Sequence, residues 1–99
     1  MTEIEVEIIK QLNKDLSLSG YTQTFSTSLT MEENINKLMS WVGVESEKRM
    51  SSFTQFLYAI DLDETHLESE NPIDNESLAW YILNRLKNKV INREKFSNI

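Results

Sequence analysis

Over the first eighteen residues the apolar side chains Ile4, Ile8, Leu12 and Leu16 recur at every fourth position, with Ile9 beside them and mostly acids, amides and lysines between. Residues four apart lie above one another on a helix, so this spacing predicts a helix from Glu3 to about Leu18. Ile4, Val6 and Ile8 also alternate, as in a short strand. The four-residue step continues beyond Ile9, however, and Gly20 supplies a stop, so the helix is preferred. The pattern then lapses. Residues 20–30 are rich in hydroxyl side chains and contain neither acid nor base. Such side chains compete for backbone hydrogen bonds and disfavour a helix interior, which predicts an irregular segment over 21–30 pinned by Tyr21, Phe25 and Leu29, with a short strand as the alternative.

Periodicity resumes after Thr30. Thr30 followed by Glu33 is the reciprocal capping arrangement that opens a helix, and Met31, Ile35, Leu38, Met39 and Val42 share one face of it until Gly43, with Trp41 to the side. Ser46, Glu47 and Lys48 are read as the opening of a third helix, whose apolar stripe is Met50, Phe53, Leu57 and Ile60, widened by Phe56. Residues 61–74 mix acids with the one proline and predict an acidic loop. Asp74 or Asn75 can cap a final helix, with Leu78, Ile82, Leu86 and Val90 as its stripe and Ala79 and Leu83 beside it. Trp80 and Ile91 fall roughly opposite that stripe, with Tyr81 between. This surplus of large residues requires a second neighbour within the fold or a partner outside it. The expected architecture is all-α: one domain over residues 1–99, a compact bundle of about four helices.

Composition narrows the class. Hydrophobic residues make up 39% and charged residues 26% of 99, an ordinary globular mixture. There is no cysteine, which excludes disulfides and thiolate metal sites. The first residues are acidic where a leader would be basic, and no apolar run approaches the roughly 20 residues of a membrane helix. Together these point to the cytoplasm, with no membrane partner. The net charge of −6 is unevenly placed: residues 1–76 hold fifteen acids against five bases, and residues 77–99 hold five bases (Arg85, Lys87, Lys89, Arg93 and Lys95) against Glu94. A basic last helix can pack on an acidic body, or it can offer a docking surface to an acidic partner.

Candidate chemistry is confined to one string. Tyr58 to Thr65 is an apolar run followed by Asp61-Leu62-Asp63-Glu64-Thr65, which resembles the nucleophile motif of haloacid dehalogenase-type phosphatases. The resemblance covers about eight residues. It implies Asp61 as nucleophile, Asp63 as acid/base and a Mg²⁺ held by carboxylates. That motif belongs near the start of a long α/β domain, whereas only 34 residues follow Thr65, and they read as a loop and one helix. A calcium loop numbered from Asp61 also fails, because its sixth position is His66 rather than Gly and its twelfth is Pro72 rather than Glu. Weak divalent-cation binding by Asp61 and Asp63 stays open. His66 is the only histidine, and neither Gly20 nor Gly43 sits where a nucleophile elbow or phosphate loop needs it. No cofactor and no catalytic residue are therefore expected. Nucleic acid is disfavoured by the acidic body, leaving Arg85, Lys89 and Arg93 as the only bases placed to meet phosphates.

The resulting expectation is a non-enzymatic interaction or adaptor domain that presents a helical face to another protein or to a second copy of itself. Trp80, Tyr81, Arg85 and Ile91 are its candidate contact residues. The alternative is a small acidic, immunity-like inhibitor that covers a basic partner with Asp61, Asp63, Glu64, Glu68 and Glu70.

Overall fold

The computed structural model describes residues 1–48, 51–60 and 74–97. The described residues form four helices and no strand: α1 (Glu3–Leu18), α2 (Met31–Lys48), α3 (Ser51–Ala59) and α4 (Asn75–Ser97). The expected all-α bundle is present. The expected acidic loop lies, but for Asp74, outside the described residues.

α1 begins on a capping box, in which the Thr2 N–H donates to Glu5 Oε1 at 2.8 Å and Thr2 Oγ1 accepts from the Glu5 N–H at 3.2 Å. These bonds satisfy two backbone donors that a helix start otherwise leaves unpaired, and they hold the Glu5 carboxyl below its ordinary pKa. At the other end Gly20 adopts φ +90°, the left-handed conformation that a side chain disfavours. The chain then runs through residues 21–30 without forming a strand. Asn13 clamps this segment from α1: its Nδ2 donates to the Phe25 carbonyl at 2.9 Å and its Oδ1 accepts from the Phe25 N–H at 2.8 Å. Asn34 Nδ2 holds the Ser26 carbonyl from the other side at 2.9 Å. Two amide side chains thus replace a strand partner, and Phe25 is driven into the core.

Thr30 caps α2 as its sequence implies, accepting from the Glu33 N–H at 3.1 Å. The expected stop at Gly43 does not occur. α2 continues to Lys48, Ser46 lies inside it with its hydroxyl donating to the Gly43 carbonyl, and the helix expected to open at Ser46 begins at Ser51. Close packing explains the glycine: a Cβ there would stand 2.6 Å from Asn75 Nδ2, at the start of α4. The glycine opens space for a neighbouring helix, which sequence alone cannot separate from a stop signal. Met50, assigned to the third apolar stripe, is outside the described residues.

The core draws on every helix. Ile9, Leu12 and Leu16 of α1, Leu38 and Val42 of α2, Phe56 of α3 with Ile60 just beyond it, and Ile82, Leu86 and Val90 of α4 are almost fully enclosed. Trp41 is half-buried and meets Tyr21, Phe53 and Phe56 in edge-on contacts with centroids 5.2, 5.8 and 5.6 Å away, tying the irregular segment to α2 and α3. α4 packs against both α1 and α2. Asp74 Oδ1 accepts from the Ser77 N–H at 2.7 Å, which identifies Asp74 as the cap and holds its carboxyl below the ordinary pKa.

Leu57 is buried in the α3 stripe, at 3% exposure. Replacing it by alanine is expected to cost about 2 to 5 kcal/mol. Urea unfolding of Leu57→Ala checks this, and an unchanged midpoint would contradict the packing of α3.

Candidate functional site

The surface of α4 divides into chemically distinct faces. Its inner face carries the apolar stripe. Beside that stripe, one polar edge is turned toward α1 and the end of α3. Lys89 Nζ reaches both oxygens of Asp15 at 3.1 and 3.3 Å and donates to the Ala59 carbonyl at 3.2 Å. Asp15 is 1% exposed, and Gln11 Nε2 donates to it at 3.1 Å. Arg93 extends the network, with Nη1 donating to Gln11 Oε1 at 2.8 Å and Nη2 meeting Glu7 Oε2 at 3.3 Å. Arg85 Nε lies 3.5 Å from the Ile60 carbonyl, so two cationic side chains meet carbonyls at the negative end of α3.

This edge gathers the three bases that the sequence offered as phosphate contacts, Arg85, Lys89 and Arg93, and engages each of them within the chain. Three of the four α4 bases whose side chains are described thus meet partners within the chain, although Arg93 stays half-exposed. No local pattern marks Asp15 as a buried carboxylate, because it sits among polar residues next to the α1 stripe rather than in it.

The outer face differs. Trp80, Asn84, Lys87 and Ile91 follow one another at intervals of four, three and four residues, and Trp80 and Ile91 are 50% and 38% exposed. Tyr81 is also half-exposed but lies about 100° further round the helix, on the side of Arg85. The four candidate contact residues thus separate into two pairs: Trp80 with Ile91 on the outer stripe, and Tyr81 with Arg85 on an edge where Arg85 is held at the end of α3.

Trp80 stands at the lip of a groove of about 280 Å³ between α1, α2 and α4. Ile4 and Ile8 come from α1, Met31 and Ile35 from α2, and Leu83 from α4, with Glu5 and Lys87 as charged lining. Ile4, Met31 and Ile35 were legible only as members of core stripes. That they are partly exposed and converge beside Trp80 depends on how the helices meet. Comparisons with protein-family models, curated proteins and solved structures found no match.

A second, more polar depression of about 410 Å³ lies beside Tyr21, residues 22–24, Lys37, Trp41 and Glu45. Its charged groups are engaged internally. The Tyr21 hydroxyl donates to Glu45 Oε2 at 3.4 Å, Lys48 Nζ pairs with Glu45 Oε1 at 3.2 Å, and Lys37 Nζ donates to the Thr24 carbonyl at 2.9 Å over the Phe25 ring. Burial, reinforced by the Glu45 charge, pushes the Tyr21 pKa up to about 12. Asp61, Asp63 and His66 lie outside the described residues, among which no three His, Cys, Asp or Glu side chains gather as metal ligands do. No described helix is long and apolar enough to cross a membrane.

Two outcomes follow from these contacts. Lys89→Met leaves the enclosed Asp15 carboxylate without its cation and is expected to cost about 3 kcal/mol in urea unfolding, while Asp15→Leu/Lys89→Met recovers most of that loss because neither charge remains. Tyr21 releases its proton at about 12 in the folded chain against 10.0 for the free phenol. The unfolded chain therefore holds fewer protons in this interval, and Tyr21's contribution to stability, complete below pH 10, falls away as the pH rises to 12. In an ultraviolet titration Tyr21→Phe should remove a phenolate step near pH 12, and Glu45→Gln should bring that step to lower pH.

Proposed function

We propose that this chain is a non-enzymatic protein-interaction domain whose docking surface is the outer stripe of α4 together with the groove beside it. The observation that carries this reading is Trp80, half-exposed on a regular helix next to the partly exposed Ile4, Met31 and Ile35. Large aromatic side chains on rigid elements are the usual anchors of protein interfaces, since they cover much area at little cost in conformational freedom. The inward engagement of Arg85, Lys89 and Arg93 supports the same reading. It leaves the outer stripe with Lys87 as its one base among the described residues, so apolar contact rather than strong charge dominates there.

The reading is tested by quantitative affinity purification with the intact chain and with Trp80→Ala/Ile91→Ala. Both substitutions lie on the exposed stripe, so folding stability should change by no more than about 1 kcal/mol, while partners recovered with the parent chain should be lost. Recovery should also vary little with salt, because an apolar contact is not screened. Partners retained by a folded double variant would overturn the assignment of this surface.

A further inference from the structure

We draw no further inference here: the strongest candidate, the apolar groove between α1, α2 and α4 beside Trp80, belongs to the docking surface already proposed, and nothing in the structure shows what covers it.

Discussion

The Asp15 carboxylate, enclosed by protein and joined to Lys89, is the constraint on which the arrangement of the helices depends. A buried charge is tolerable only when its solvation is replaced, and here the replacement comes from two side chains, Gln11 of α1 and Lys89 of α4. Lys89 also holds the Ala59 carbonyl at the end of α3. One ammonium group therefore fixes three helices at once. Apolar packing sets which faces meet, and this polar cluster adds specific partners that tie α1, α3 and α4 in the observed register. Arg93 reinforces that register through Gln11 and Glu7.

The same cluster shapes the outside of the protein. Because α4 presents its apolar stripe and several of its cations to the body, its remaining face is left with Trp80, Asn84, Lys87 and Ile91. The charge asymmetry along the sequence, acidic through residue 76 and basic beyond it, has an internal use: Lys89 meets Asp15 across 74 residues and Arg93 meets Glu7 across 86. A basic tail that looks like an offer to an acidic partner is in good part consumed by the fold.

Local rules made much of this legible. The four-residue spacing located α1 to its ends, Thr30 with Glu33 marked the start of α2, and the hydroxyl-rich segment was rightly read as irregular. The position of Trp80 and Ile91 opposite the α4 stripe was also visible, since it follows from helix angle, but their partial exposure was not, because it depends on where the neighbouring helices lie. What depends on meetings between helices was not visible. Gly43 looked like a terminator and is a point of contact, which moved the end of α2 and the start of α3. Nothing local marks Asp15 or Glu45 as buried, because their partners Lys89 and Tyr21 are distant in sequence. The groove beside Trp80 needs three helices to exist.

Gly43 has a further implication for how this sequence can drift. The space a Cβ would take at position 43 is filled by the side chain of Asn75, 32 residues later. Alanine would be the better helix former at position 43 by about 1 kcal/mol, yet it is admissible only if Asn75 gives way. The atom in the way is the terminal amide of an exposed side chain, so the two positions are coupled through the direction in which Asn75 turns. A related chain that carries a larger residue at the first position should carry a shorter or differently turned one at the second, so that this pair would register in any set of relatives as a correlated exchange between the middle of one helix and the beginning of another.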